Sequence, residues 1–156
     1  MFWPYLQLFF KGLQLFDDNG FKNQDTHWKA VHLLHFIVYG EETCEEHQFL
    51  LNKIICGIQP DEFVSPDISL TKEEKEECEH LIKVVIQNWK ALKSTSIYGF
   101  RKTFLQREGL ITKDHDGWLL KVQTQTLDVL LNRLTWPISI IKLPWNNHLI
   151  HVEWQV

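Results

Sequence analysis

The sequence predicts an α+β fold, with an N-terminal bundle of about five helices followed by a small antiparallel β-sheet that has one short inserted helix. Two observations predict this fold. Up to Gly109 the apolar residues recur at the spacing of helices, whereas from Leu110 onward they alternate with polar residues as they do in strands. A run of helices followed by a run of strands is typical of the α+β class.

The first two helices are predicted from apolar spacing and from residues that stop or cap a helix. Apolar side chains recur at helical spacing over 5–16, and Asp-Asp-Asn-Gly at 17–20 supplies a stop. A second helix begins with Asp25 or Thr26 as its N-cap, because either side chain can accept a hydrogen bond from the first helical turn. This helix ends at Gly40, a residue suited to a C-cap.

A third helix and a long loop follow. Acidic residues near Glu41 favour a helix start, and the apolar pattern predicts a helix over 41–56 that ends at Gly57. The next segment, 58–70, contains two prolines, which cannot continue a helix. We therefore expect a loop of about a dozen residues, a length at which loops are often packed or functional.

The longest helix is predicted to begin after Thr71, which can form a capping box with Glu74. Its apolar face is marked by residues at helical spacing: Cys78, Leu81, Ile82, Val85, Trp89 and Leu92. The serines and threonine at 94–96 then cap a fifth helix, which is ended by Glu108-Gly109.

The first strands are predicted from alternation with a period of two residues. The segments 110–112 and 118–123 flank an Asp-Gly step at 116–117, which is a strong hairpin signal. Leucines over 127–134 then indicate a short helix inserted between strands.

A second hairpin is predicted near the end of the sequence. Its strands, 136–143 and 148–154, are separated by Pro-Trp-Asn-Asn at 144–147, which breaks the alternation. Tryptophan beside β-branched residues suits a pleated surface that is half buried against something else. The hairpin is therefore either part of the core or a docking surface.

Length and composition predict one domain over 1–156, with a helical part at 1–109 and a β-rich part at 110–156. The 156 residues are enough for one core without disulfide or metal staples. A formal charge of -4 without a basic stripe argues against nucleic-acid binding. No apolar run approaches the roughly 20 residues that span a bilayer and no signal peptide is evident, so we expect cytoplasmic synthesis without direct membrane binding. The apolar start at Met1 suggests a longer parent chain.

The densest group of potential metal ligands lies on the second and third predicted helices: His27, His32, His35, Cys44 and His47. Their spacing matches no zinc or metalloprotease motif, so packing and hydrogen bonding are the expected roles of these histidines. The three cysteines lack the spacing of a zinc or redox site and are expected to be reduced and mostly buried. No metal or other cofactor is predicted.

The sequence carries no catalytic signature. Asp114 and Asp116 flank a tight turn, which explains both without acid–base chemistry, and the acidic run at 73–79 is typical of a solvated helix face. Nothing resembles a phosphate-binding glycine loop, a nucleophile elbow or an oriented Cys/His pair. We therefore do not expect an enzyme.

The candidate functional residues belong to the C-terminal hairpin and are candidates for docking a partner: Trp136, Lys142, Pro144, Trp145 and Trp154. Trp145 lies beside a turn and Trp154 lies near the end, where a large ring can be exposed. Exposed tryptophans are often the residues that dominate affinity at an interface. Tryptophans inside apolar patterns, Trp89 and Trp118, are expected to belong to the core instead.

Short stretches from much of the sequence occur together in a specific order. They are Ala30-Val-His-Leu-Leu34, Gly40-Glu-Glu42, Leu51-Asn-Lys-Ile-Ile-Cys-Gly57, Leu70-Thr-Lys-Glu-Glu-Lys-Glu-Glu-Cys78, Trp89-Lys-Ala-Leu-Lys-Ser-Thr-Ser-Ile97, Arg101 to Phe104, Leu105-Gln-Arg-Glu-Gly109, Asp116-Gly-Trp-Leu-Leu120, Trp136-Pro, Ile141-Lys-Leu-Pro-Trp145 and Val152-Glu-Trp154. In this order and spacing they resemble the C-terminal region of contractile injection system tape measure proteins. The resemblance extends from about Tyr5 to Trp154.

The resemblance implies a non-enzymatic assembly protein of a phage-tail-like particle, in which a long parent chain sets the length of the inner tube. Members of the family are many times longer than this chain, so the domain would be a folded anchor at one end of the ruler. Its implied partners are the spike hub, the baseplate or the inner tube, and the symmetry of these parts allows several copies. The implied location is the cytoplasm during assembly and the particle afterwards.

Two alternatives from other classes stand beside this interpretation. A standalone adaptor would share the same core and the same exposed aromatic residues, and a gene neighbourhood without sheath, tube and baseplate genes would favour it. A metal-dependent enzyme is the more distant alternative. It would require stoichiometric zinc that is lost when His32 and His35 are replaced.

Overall fold

A computed structural model describes residues 1–154 and confirms the α+β class. Helices occupy the N-terminal part, and a four-stranded sheet follows them. The α-helices of the described residues are α1 (Trp3–Gly12), α2 (Gln24–Tyr39), α3 (Leu50–Ile55), α4 (Lys72–Asn88) and α5 (Ile97–Phe100). No helix within this part of the chain is long and apolar enough to cross a membrane.

The strands form two separate sheets. They are β1 (Phe16–Asp17), β2 (Gly20–Phe21), β3 (Gly109–Asp114), β4 (Gly117–Val122), β5 (Ile140–Ile141) and β6 (Leu149–Trp154). The first two strands pair with each other, and the other four have the order β3-β4-β6-β5.

The larger sheet is mixed, so the prediction of an antiparallel sheet was wrong. The β3–β4 hairpin is antiparallel as predicted, and β5 is antiparallel to β6, but β4 and β6 run parallel with Trp118 opposite Ile150. The connection over 123–148 returns the chain to the same end of the sheet. A parallel pair needs a crossover of a dozen or more residues, and this connection supplies it.

The crossover contains less regular structure than the sequence predicted. The inserted helix is a 3-10 helix over Thr126–Arg133, and of the strand predicted over 136–143 only β5 is in register with β6, with one further bond from Val152 N to Ser139 O at 2.8 Å. The preceding residues are held by side chains instead. Trp136 Nε1 donates to Met1 O at 2.9 Å, and Trp3 Nε1 donates to Pro137 O at 2.7 Å.

The first helix is shorter than predicted. It ends at Gly12, and Phe16 begins a hairpin in which it lies opposite Phe21. Gln14 has φ 60°, which ends the helical conformation, and Asp17 Oδ1 accepts from Asn19 N at 2.8 Å within the hairpin turn. The segment 17–20 is therefore a turn between two short strands.

The second helix begins earlier than predicted. Its N-cap is Asn23, not Asp25 or Thr26: Asn23 Oδ1 accepts from Thr26 N at 2.9 Å, and Thr26 Oγ1 accepts from Asn23 N at 3.1 Å. This reciprocal pair satisfies two of the N–H groups that have no partner within the helix. At the other end Gly40 adopts the left-handed conformation with φ 74°, as the C-cap prediction required.

The third predicted helix is split. A 3-10 helix over Glu46–Phe49 leads into the short α3, and the residues before it are irregular. The carboxylate of Glu42 explains the late start, because it accepts from Leu70 N and from Lys75 Nζ, both at 2.8 Å. These bonds tie the segment to α4, and the loop predicted over 58–70 is present.

The long helix α4 agrees with the prediction at its N-terminus, where Thr71 and Glu74 form the capping box. It ends at Asn88, earlier than predicted, and a 3-10 turn follows. All six residues of its predicted apolar face are buried. The fifth helix is short, is capped by Ser96, and continues as a wider π-helical turn over Arg101–Leu105.

The core has a large helical part and a small part beneath the sheet. The small part consists of Ile54 on α3 and three sheet residues, Val122, Ile150 and Val152. Trp89 is fully buried in the helical core and donates from Nε1 to Leu130 O at 3.2 Å. The sheet is thus placed over the end of α3, and the crossover is placed against the end of α4.

Candidate docking surface

The five predicted docking residues lie in three different places. Trp136 lies beside the N-terminal segment, and Trp154 lies on the face of the sheet that packs on the helices. Lys142, Pro144 and Trp145 lie together around the turn that precedes β6; the first two are exposed and Trp145 is half-buried. Of this last group, Pro144 and Trp145 line a concave surface.

The Trp145 ring is held firmly on its inner side. Its centroid lies 5.5 Å from that of Phe10, 5.2 Å from Phe16 and 5.7 Å from Phe21, and all three contacts are edge-to-face. Its Nε1 donates to Ile55 O at 2.8 Å. These contacts lock the ring with its N–H satisfied, which a partly buried tryptophan requires.

The outer side of Trp145 forms part of the wall of a cleft of about 440 Å³. The cleft lies where the turn before β6 meets the β1–β2 hairpin and α1. Besides Trp145 its lining includes Pro144, Phe16, Phe21, Lys11, Asp18 and His27. It therefore offers apolar and aromatic edges beside one cation and one carboxylate.

The polar groups of the cleft are held by hydrogen bonds and a stacking contact within the protein. Lys11 Nζ donates to Asp18 Oδ1 at 3.2 Å, and both side chains reach solvent. The His27 ring stacks on Phe21 with 4.4 Å between centroids, and its Nε2–H donates to Cys56 O at 2.6 Å. An apolar side chain with neighbouring polar groups is the ligand chemistry that fits such a surface.

Trp154 packs on the inner face of the sheet beside Arg107. The guanidinium carbon of Arg107 lies 5.7 Å from the ring centroid, and within residues 1–154 the buried Trp154 Nε1 has no hydrogen-bond partner. Arg107 also makes two 2.7 Å bonds to the Asp128 carboxylate and donates to Gln123 O. Because Arg107 holds the pKa of Asp128 below its usual value, the pair is ionised as well as buried.

The histidines considered as metal ligands are used for hydrogen bonds to separate loops. Each Nε2–H donates to a different backbone carbonyl: His27 to Cys56, His32 to Ser65 at 2.8 Å, and His35 to Thr43 at 2.9 Å. Burial lowers the pKa of both His32 and His35, which keeps them neutral. Their nitrogens pin loops onto α2 and do not converge on one point.

Among the described residues, three other side chains with atoms that could bind a metal ion do lie close together. Asp114, Asp116 and His151 bring theirs within 4.8 Å of one another at the tip of the β3–β4 hairpin. Asp114 Oδ1 accepts from His115 N at 2.7 Å, and Asp116 pairs with His151 at 3.4 Å. Both carboxylates are exposed, and these turn and side-chain contacts account for their positions.

The cysteines are free thiols: Cys56 and Cys78 are buried and Cys44 is half-buried. Burial raises the pKa of all three thiols, to about 11 for Cys44. Thiols with raised pKa values are poor nucleophiles and poor metal ligands at neutral pH.

Pro144 and Trp145, two of the residues predicted to dock a partner, line the cleft, whereas its opposite wall was not predicted from the sequence. That wall is formed by the β1–β2 hairpin, which was interpreted as the end of a helix. Asn19-Gly20 between Phe16 and Phe21 is a signal that could have indicated a hairpin. Lys11 and His27 come from α1 and α2, so only the fold shows that they join the cleft.

The fold is of the α+β class, and tryptophan side chains fasten the sheet and its crossover to the helices. Within this class the chain belongs to the contractile injection system tape measure protein family, whose sequence model matches residues 1–154. It is thus a structural component of a contractile injection particle and interacts with other particle components. No curated protein and no solved structure matches the chain.

Proposed function

We propose that this domain is a folded anchor, which attaches a length-determining chain to the hub, the baseplate or the inner tube of the particle. The observation that carries the proposal is the cleft beside Pro144 and Trp145. Membership of the tape measure family supplies the assembly context. The role is non-enzymatic and needs no cofactor, and attachment takes place in the cytoplasm before the particle is complete.

The Trp145 ring has the properties of an interface anchor. Three phenylalanine edges and one hydrogen bond fix its orientation, so a partner would not have to order it on binding. A rigid aromatic edge in a concave site is the usual setting of an affinity hot spot. Lys11 and Asp18 at the rim provide polar groups that would select among partners by charge.

The test uses the hub, baseplate and inner-tube proteins encoded beside the gene, each titrated with the purified domain. Pro144→Asp places a charge in the cleft at an exposed position, so we expect affinity for the true partner to fall at least tenfold, or about 1.4 kcal/mol. Glu73→Ala on the exposed face of α4 is the matched control and should bind as the unchanged domain does.

Thermal unfolding of each variant separates binding from folding. We expect Pro144→Asp to keep the melting temperature, because Pro144 is exposed. Failure of the domain to bind any of the three partner classes would contradict the anchor role. Binding that is unchanged by Pro144→Asp would contradict the cleft as its site.

A further inference from the structure

The strand β3 leaves one side of its backbone open. It is the outermost strand of the order β3-β4-β6-β5, and no strand of residues 1–154 pairs with its outer side. Gln123 N donates to Glu108 O at 2.9 Å. Glu108 and Gln123 are therefore a hydrogen-bonded pair, next to the pair of Gly109 with Val122. Since hydrogen-bonded and non-bonded pairs alternate, Gly109, Ile111 and Lys113 direct their N–H and C=O groups away from β4.

The side chains of β3 do little to cover this edge. Lys113 is the one lysine of β3, and it lies on the inner face, with Nζ 5.8 Å from the Trp118 ring centroid, so the outer face of the strand carries no lysine. On the outer face Leu110 is 62% exposed, and Thr112 is also exposed. The middle of the open edge is therefore apolar and β-branched, which suits a further strand.

The outer face of this edge is acidic at both ends. Glu108 and Asp114 lie on the same face as Leu110 and Thr112, because side chains two residues apart share a face. A complementary strand would place basic side chains opposite both acids and apolar side chains between them. The expected strand is seven residues long, with basic residues at its first and seventh positions, apolar residues at its third and fifth positions, and any residue at the other three.

The same charges disfavour a second copy of this chain as the occupant. Antiparallel pairing of two β3 strands about Ile111 would set Glu108 of each copy opposite Asp114 of the other. Like charges directly opposite each other in a sheet are destabilising. In the register that pairs the whole of β3, the edge thus fits a different polypeptide better than it fits itself.

We infer that β3 accepts an extended segment of another protein as a fifth strand, with basic residues opposite Glu108 and Asp114. Main-chain hydrogen bonds to Gly109, Ile111 and Lys113 would supply affinity, and the two acids would supply selectivity. This edge lies outside the Trp145 cleft, so the inference does not depend on the anchor role.

The test uses the whole chain labelled with ¹⁵N and a capped synthetic peptide, Lys-Gln-Val-Thr-Ile-Gln-Lys. At millimolar peptide we expect amide hydrogen exchange of Gly109, Ile111 and Lys113 to slow, because these N–H groups acquire acceptors. A matched peptide with Glu at both ends should bind at least tenfold more weakly. Slowed exchange elsewhere but not at these three amides, or equal affinity for both peptides, would overturn the inference.

Charge-reversal variants of the protein provide a second, independent test. Glu108→Lys with Asp114→Lys should reverse the preference, so that the Glu-ended peptide binds at least tenfold more tightly than the Lys-ended one. Glu108→Lys alone leaves the hairpin turn intact and should abolish the preference for the Lys-ended peptide. An unchanged preference in both variants, or protection that rises with protein concentration without peptide, would overturn the inference.

Discussion

At the residue scale, Trp145 contributes to the core and to the candidate docking surface at once. Trp145→Ala removes three aromatic contacts and the bond to Ile55 O, so we expect the free energy of unfolding to fall by about 3–5 kcal/mol. Trp145→Phe keeps an aromatic ring and loses chiefly the hydrogen bond, at about 1 kcal/mol. Urea denaturation measures both.

The control for Trp145 is Leu127→Ala, which removes an exposed apolar side chain and should change stability by less than about 0.5 kcal/mol. A near-neutral Trp145→Ala would show that the ring does not stabilise the core. Because Trp145→Ala is expected to reduce stability, this variant is unsuited to a binding assay. Folding and docking would change together.

The Arg107–Asp128 pair gives a second prediction. Asp128→Ala leaves a buried guanidinium without its carboxylate, and we expect a loss of about 3–5 kcal/mol of unfolding free energy. Glu153→Ala breaks the exposed pair with Lys121 and should cost less than about 1 kcal/mol. Equal effects in chemical denaturation would show that burial of the first pair has no energetic consequence.

Acid sensitivity is a third prediction and depends on His32 and His35. Because burial lowers both pKa values from 6.5, the unfolded chain takes up protons first as the pH falls. Their stabilising contribution is complete above about pH 6.5 and is lost as the pH falls toward the folded pKa values. Glu42 near His32 and Glu41 near His35 raise these pKa values and so reduce the effect without reversing it.

The measurement is unfolding free energy between about pH 7 and about pH 5, where Asp and Glu in the unfolded chain remain largely ionised. Protonated His35 would need an acceptor at Nδ1, which is buried and unpartnered within the described residues. We expect His32→Gln with His35→Gln to flatten the pH dependence over this interval. An unchanged slope would assign the acid sensitivity to other groups.

At the scale of elements, the parallel contact between β4 and β6 depends on Gly117. A β-carbon there would lie 2.8 Å from Leu149 N and would overlap Leu149 O, so Gly117→Ala forces the two strands apart. We expect a loss of about 3 kcal/mol. Gly12→Ala is the matched control, because no atom outside its own helix and chain neighbours lies within 4 Å of its added carbon.

Melting temperatures and amide exchange in β6 check this prediction. Gly117→Ala should increase exchange in β6 relative to the unchanged chain, whereas Gly12→Ala should leave exchange in β6 as it is. A stable Gly117→Ala protein with a protected β6 would show that the strands can separate at little cost.

Elements defined by neighbouring residues could be predicted from the sequence. Thr71 with Glu74 specifies a helix start through bonds within four residues, and the start of α4 was predicted correctly. The late start of the third helix could not be predicted, because Glu42 is held by Leu70 and Lys75 from distant parts of the chain.

The same distinction applies to the sheet and to the candidate site. Alternation marks a strand but contains no information on its partner, so the parallel pairing of β4 with β6 was missed. Trp145 was selected for its residue type and its place beside a turn. The β1–β2 hairpin that completes the cleft was missed, because its local signal, Asn19-Gly20, was interpreted as a helix stop.

At the scale of the whole molecule, the helical and β-rich parts are expected to fold as one unit. Ile54 packs under the sheet, Trp89 bonds to Leu130 O, and Met1 O accepts from Trp136. A fragment over 1–109 would lose all three contacts. We expect it to lack a cooperative thermal transition by circular dichroism, whereas the complete chain has one.

Thermal unfolding of the complete chain and of the 1–109 fragment tests this prediction. The complete chain should give coincident transitions by far-ultraviolet dichroism and tryptophan fluorescence, as expected for one cooperative unit. Two separate transitions, or a cooperative melt of the 1–109 fragment, would show that the helical part is a domain by itself.

The parallel pairing of β4 with β6 also has a consequence for biosynthesis. A ribosome completes β4 well before β6, and until β6 emerges the apolar inner side of β4 and Ile54 beneath it have no cover from Ile150 and Val152. During that interval the nascent chain presents helices ready to pack beside an unfinished sheet, a state in which chains are prone to aggregate. Chaperone demand should therefore peak between the emergence of β4 and the release of β6.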